Sequence, residues 1–415
     1  MASEAAGPRS GLTVAALVLE RSSPPPGHSD HGAAMKALLA AAFTTCLSLP
    51  ATAETTVGLL LPASGNYAAL GQDIEDGFRM ALAEAGRDDI TVLREDTEAK
   101  PQTGLIRARK LIMQDKADVL VGVVSSAVLS AVRDVVHNAK TPLIVANAGN
   151  SDATGKDCSP YITRVSFSND QLNRPMGEWL AAQGVSSVYT LAPDYAAGQQ
   201  MIGAFSAAFE EGGGEIAGVE FTPFGKTEDF GPYLAKAQAS GAEALYVFYG
   251  GADAISFVKQ YDSFGLREQM PLYSVGFLTA PLYLRSQGEA AMGVIGALHY
   301  LPSLDTPENN AFTETYANAH DGNLPSEYVV AGYDAGRLLL GALDSGAEGR
   351  AEIAAALPKI AYTGPRGPLE IDPATNNVVQ NVYIFETVSD GGRMTHRVLD
   401  TVRAVRDAPN GCEMG

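Results

Sequence analysis

From Thr55 onward the chain repeats one pattern: a short run that is apolar throughout, a polar or glycine-rich turn, then apolar residues at helical spacing. The runs are Val57–Leu61, Thr91–Arg94, Val119–Val124, Leu143–Ala146, Ser187–Ala192, Ala244–Tyr249 and Leu272–Val275. Between them, Ile74, Phe78, Ala81 and Leu82 form one helical face, and Leu105, Ala108, Leu111 and Ile112 another. Met201, Ala204, Phe205, Ala208 and Phe209 form a third. Strands with no polar face, alternating with helices, require parallel sheets covered on both sides. The fold class is therefore α/β. The alternation breaks near Tyr161–Ser168, Leu298–Leu304 and Tyr362–Pro368, where Pro and polar residues suggest crossovers between two lobes. After Pro368, Leu369–Asp372, a turn and Val382–Phe385 read as a hairpin.

Composition narrows the picture. Hydrophobic residues make up 46% of the 415 and charged residues 19%, so the bulk of the chain is not disordered. At this length two or three domains are expected. A net charge of −19 repels phosphates and argues against nucleic acid as a partner. Three cysteines, and six histidines with no pair at HxxxH spacing, argue against structural zinc or an iron–sulfur cluster. No metal or cofactor is expected.

The segment Met35-Lys36-Ala37-Leu38-Leu39 runs apolar to about Leu49 and closes on Ala51-Thr52-Ala53, a small-x-small triplet. This is the pattern of a secretory signal peptide, too short to span a bilayer, with cleavage expected after Ala53. Residues 1–34 read as an upstream extension. Export would remove Cys46 and leave Cys158 and Cys412, and an even pair in an oxidising compartment predicts one disulfide. Two free thiols are the alternative.

Parallel sheets bind ligands at the carboxyl ends of their strands, where loops enter helix N-termini. Val123-Val124-Ser125-Ser126 is such a loop, and its hydroxyls and backbone N–H groups suit a carboxylate, or alternatively a plain serine cap. Asn147-Ala148-Gly149 ends the next strand with small residues that admit a ligand to the backbone. Tyr195, after Pro193-Asp194, and Tyr249, before Gly250-Gly251, place aromatic hydroxyls in two equivalent loops. Enzyme signatures are absent: no GxGxxG follows the first strand, and neither GxxxxGK[ST] nor GxSxG occurs. His137, His299, His320 and His396 lie away from these loops, and Asp194 has no base beside it. The chain does not read as an enzyme.

The strand Val57–Leu61 with Pro62-Ala63-Ser64-Gly65-Asn66-Tyr67 and Gly71-Gln72-Asp73 resembles the opening of the branched-chain amino-acid (Leu/Ile/Val) periplasmic binding proteins. Gly122…Ser125-Ser126, Asp194-Tyr195…Gly198, Tyr249-Gly250-Gly251, Gly332-Tyr333-Asp334-Ala335 and Gly367-Pro368-Leu369 fit that family in order, across residues 54–386. The resemblance implies a type I periplasmic binding protein: two doubly wound parallel-sheet lobes, joined by three hinge crossovers, closing on a ligand. Residues 54–166 with 299–366 would form one lobe, and 167–298 with 367–415 the other and the tail. It places a ligand carboxylate on Ser125, Ser126, Asn147, Ala148 and Gly149, second-lobe aromatics on Tyr195 and Tyr249, and Tyr67 and Leu70 at the cleft mouth.

One position departs from the family. Amino-acid-binding members pair the α-ammonium with a Glu in a loop that here reads Val275-Gly276-Phe277-Leu278, with Gly276 at the equivalent place. Relatives that bind aromatic acids are similar too. The expectation is a periplasmic, monomeric solute-binding component that delivers a small carboxylate, of benzoate or cinnamate type, to an ABC permease. The alternatives are an amino-acid ligand, or an exported sensor acting on a partner protein.

Overall fold

The computed structural model describes residues 54–408 and 410–414. The expected extension and signal segment, residues 1–53, fall outside the described residues. No described helix is long and apolar enough to cross a membrane.

The first lobe begins with β1 (Thr55–Leu61), α1 (Ala68–Glu84), β2 (Ile90–Asp96), α2 (Pro101–Arg109), β3 (Val119–Gly122), α3 (Ser126–Ala139), β4 (Leu143–Val145) and β5 (Ile162–Arg164). The second follows with α4 (Asn169–Ala182), β6 (Ser187–Pro193), α5 (Ala196–Glu211), β7 (Glu215–Thr222), α6 (Gly231–Ala239), β8 (Ala244–Val247), α7 (Ala252–Ser263), β9 (Leu272–Val275), α8 (Pro281–Gln287) and β10 (Ile295–Leu298). The chain then returns through α9 (Pro307–Ala319), α10 (Glu327–Asp344), α11 (Gly349–Ala356), β11 (Ala361–Gly364) and β12 (Gly367–Asp372). It ends with β13 (Asn377–Asp390) and β14 (Arg393–Val405).

The strand order is β2-β1-β3-β4-β5-β13-β10-β9-β8-β6-β7, with β13 at the junction of two sheets. Every pair on this path except β10–β13 is parallel. Central strands such as β3, β4 and β8 are buried at every position, which is why their sequences carry no polar face. Helices α1 and α10 meet backbone to backbone. A Cβ on Gly77 would strike the Val329 carbonyl, and one on Gly332 the Ile74 carbonyl.

The chain crosses between sheets after β5 and after β10. β12 pairs with β11 and with Asn377–Val379, so the pairing puts it in the first sheet. The third crossing accordingly falls inside β13, not at Tyr362–Pro368 as the sequence suggests. The hairpin partner of β12 is likewise Asn377–Val379 rather than Val382–Phe385. β13 then folds back as a second, longer hairpin with β14 around Gly391 and Gly392, both at positive φ.

Two buried arginines hold these crossings. Arg164 donates to the carbonyl of Asn150 (2.7 Å), to Asn377 Oδ1 (2.7 Å) and to Thr154. Arg366 binds Asp334, Gln380 and the carbonyls of Val165 and Ser166. The tail beyond β14 returns to the first crossing, where Asp407 accepts from Ser168 (2.7 Å) and Asn377 (2.8 Å). Cys158 and Cys412 are joined in a disulfide, with Cα atoms 5.5 Å apart.

Candidate functional site

The strand-end loops converge on a cavity between the two lobes, about 350 Å³ of empty space including its mouth. Its first-lobe wall starts at β3. Gly122 and then Val123 adopt positive φ, 129° and 63°, the second rare for a β-branched residue. Such strain persists only where the surroundings hold it, and here Val123 N–H is fixed on the Leu60 carbonyl at 2.9 Å. The turn brings Val124 and Ser126 to the cavity. Ser125 sits at the cap position of α3, but no side chain caps that helix, so its first N–H groups are open to an anion. Ser125 is buried and does not line the cavity.

The next loop supplies Asn147 and Gly149. Asn147 Nδ2 donates to the Val124 carbonyl at 3.2 Å and ties the two loops together. Ala148 is buried behind them, its N–H on the Val123 carbonyl (2.9 Å) and its own carbonyl facing Arg164 (3.2 Å). At the mouth, Tyr67 precedes α1, Leu70 lies in its first turn, and both line the cavity.

Aromatic rings make most of the remaining wall. Tyr195, before α5, stacks on Phe224 at 4.4 Å, and its hydroxyl meets that of Tyr67 across the cleft at 3.0 Å. Burial pushes the Tyr67 hydroxyl well above the usual tyrosine range, and the Tyr195 hydroxyl adds to it. Burial raises the Tyr195 hydroxyl likewise, so both tyrosines stay neutral and one donates to the other. Phe277 lies 5.0 Å from Phe167, 6.0 Å from Tyr328 and 6.3 Å from Phe248, ring centre to ring centre. Among the described residues, no Asp, Glu, Lys, Arg or His lines the cavity.

Further hydrogen bonds cross the cleft. Ala252 N–H donates to Asn66 Oδ1 at 3.0 Å. Gln200, on α5, receives the Ser151 N–H at 3.2 Å and donates to Asn150 Oδ1 at 2.9 Å. The lobes are closed over the cavity.

Besides Ser125 and Ala148, two expected residues fall elsewhere. Tyr249 is fully buried inside the second lobe, stacked on Phe257 (4.7 Å) and edge-on to Phe230 (5.1 Å). Neighbours along extended chain point to opposite sides, so Phe248 takes the cavity position instead. Gly276 is a packing glycine: a Cβ there would press on Leu298 and the Phe385 ring. Asp194 is exposed and accepts from Gln199 at 2.9 Å, so it offers no charge to the cavity. His299, read from sequence as remote, stacks on Phe167 at 5.4 Å behind the wall. Burial first and Arg366 second push it well below the ordinary histidine range, so it is neutral.

The signature of the periplasmic binding protein family matches residues 54–393. This chain belongs to the periplasmic binding protein family. It is 30% identical over 375 residues to Leu/Ile/Val-binding protein homolog 6 of Brucella melitensis, covering 87% of this chain and 95% of that one. An ABC-transporter solute-binding protein of R. palustris, solved with benzoate, superposes with a TM-score of 0.80 at 33% identity, covering 86% of this chain and 99% of its own. Another, from Rhodopseudomonas palustris BisB5, was solved with 3,4-dihydroxybenzoic acid. It superposes with a TM-score of 0.81 at 31% identity, over 85% and 98% of the two chains.

In this binding protein of the ABC-transporter type, sequence reasoning missed Phe167, Asn169, Ala197, Met201, Gly250 and Tyr328 on the cavity wall. A signal existed for the first two: Ser168 caps α4, its hydroxyl accepting the Gln171 N–H at 3.0 Å, and a capped helix start after a strand is a ligand position. Tyr328 had none. It follows the Ser326 cap of α10, far from any strand end in the sequence.

Proposed function

We propose that this chain captures a small organic carboxylate in the periplasm and delivers it to an ABC permease, and that the ligand is an aromatic acid of benzoate or cinnamate type. One observation carries the reading: the cavity joins an uncapped helix N-terminus to aromatic walls and, among the described residues, holds no acidic side chain. The α3 N–H groups, the Ser126 hydroxyl and the backbone at Gly149 would hold the carboxylate. Phe167, Phe248, Phe277 and Tyr195 offer flat apolar faces to a ring. The R. palustris relatives solved with benzoate and 3,4-dihydroxybenzoic acid support the ligand class.

The Brucella relatives carry a Leu/Ile/Val-binding name, which keeps an amino acid as the second reading. Closing the lobes on leucine would bury an ammonium that none of the described side chains of the cavity neutralises, at a cost of several kcal/mol.

Ser126→Ala tests the anchor. It is expected to weaken 4-hydroxybenzoate about tenfold or more, the loss of one hydrogen bond to a charged group. Thermal unfolding of the ligand-free protein should hardly move, because no side-chain cap is lost and the one side-chain bond given up, from Asn169 Nδ2, is long at 3.4 Å. Unchanged affinity would remove Ser126 from the site.

A further inference from the structure

Asn169 is the first residue of α4 and lines the cavity beside Ser126, Gly149 and Phe167. It is 0% exposed. The orientation of its amide follows from a chain of hydrogen bonds anchored on the backbone. The Ser151 N–H can only donate, so the Gln200 atom 3.2 Å away is Oε1. The Asn169 atom 2.7 Å from that oxygen must then be the donor Nδ2, which also faces Ser126 Oγ at 3.4 Å. The other end agrees: Asn150 Oδ1 accepts the Asp152 N–H at 3.1 Å, which makes its Gln200 partner Nε2. The network closes in one sense only.

Asn169 Oδ1 is left as a buried acceptor with no donor among the described residues. It occupies the place where a side chain at position 149 would begin, against the ring of Phe167. An acceptor left unmet in the interior is costly, and a ligand donor, or an ordered water in its absence, can meet it.

We propose that Asn169 Oδ1 is a specificity determinant for a hydroxyl next to the ligand carboxylate, and that the ligand class is the 2-hydroxy aryl acids of mandelate type. The inference rests on the reading above, in which Ser126 holds the carboxylate. Asn169 Nδ2 lies 3.4 Å from Ser126 Oγ, so groups held by the two residues sit on the same or adjacent ligand carbons. An ammonium needs several acceptors and a counter-charge, and the described residues of this cavity supply neutral oxygens only. A hydroxyl needs a single acceptor, such as Asn169 Oδ1.

Matched ligands test this by calorimetry on the intact protein. Phenylacetate and each enantiomer of mandelate differ by a single hydroxyl. The better mandelate is expected to bind about tenfold tighter or more, since a site built to bond a hydroxyl rejects the analogue without it. Asn169→Ala should bring that ratio close to one. Gln200→Ala loosens the same network but keeps Oδ1, so it should weaken both ligands alike and preserve the ratio. Equal binding of phenylacetate and mandelate by the unmodified protein overturns this inference and leaves the aromatic-acid reading standing. That comparison decides even where a variant fails to fold. Phenylglycine binding tighter than mandelate assigns the donor to an ammonium and overturns the hydroxy-acid class. Failure of these acids and of benzoate to bind overturns both readings together.

Discussion

Replacing Arg366 by methionine is expected to lower the unfolding free energy by about 3–5 kcal/mol, because it strands a charge in the interior. Arg366 and Asp334 are 1% and 0% exposed at the side chain, and their ion pair lies where the crossings meet. Arg366 also serves the Val165 and Ser166 carbonyls of the first crossing and Gln380 of the third. Without the guanidinium, Asp334 keeps the Tyr362 hydroxyl as a hydrogen-bond partner but no opposite charge. Denaturant unfolding should show a lower midpoint with an unchanged slope. Removing both charges, Arg366→Met with Asp334→Leu, should cost less than the single change, since replacing a buried pair by apolar groups is often close to neutral. A single variant as stable as the parent would contradict this view of the crossings.

Raising the pH from about 5 to 9 is expected to destabilise the protein progressively. Glu327 is 1% exposed at the start of α10, and burial, with Asp73 adding repulsion, pushes its carboxyl up to about 8. Asp73 is raised to about 6, again mainly by burial, against the opposing hydrogen bond from Ser326. In the unfolded chain both groups titrate near pH 4. Between pH 4.5 and 8 the folded state holds the Glu327 proton that the unfolded state has released, so stability falls as pH rises. The slope from this group is about 1.4 kcal/mol per pH unit. Glu327→Gln should flatten the pH profile above 6 and exceed the parent in stability at pH 9. A parent profile flat from pH 5 to 9 would contradict the burial of an uncompensated carboxyl.

The central strands were legible because burial on both faces leaves them nothing but apolar residues, as in Leu143–Val145. β7 and β14 were not: β7 is an edge strand with Val219 50% exposed, and β14 alternates polar and apolar residues along a largely solvated face. The Asp390-Gly391-Gly392 turn was a usable hairpin signal. In the site, Ser126, Asn147, Gly149 and Tyr195 were readable since each follows a strand directly. Tyr249 was misjudged because parity along extended chain decides which of two adjacent aromatics faces the cleft, and Phe248-Tyr249 carries no mark of it. Asn169 could have been read from the Ser168 cap that starts α4, whereas Tyr328 reaches the cavity only through the packing of α10, a contact that no local pattern encodes.

The most direct measurement is calorimetry with leucine and 4-hydroxybenzoate side by side on the protein. Closing the cleft on leucine buries an ammonium without a counter-charge. The penalty of several kcal/mol is worth on the order of a hundredfold in affinity or more. The account predicts that 4-hydroxybenzoate binds at least about a hundredfold tighter than leucine. Micromolar leucine binding with no heat from 4-hydroxybenzoate would contradict it.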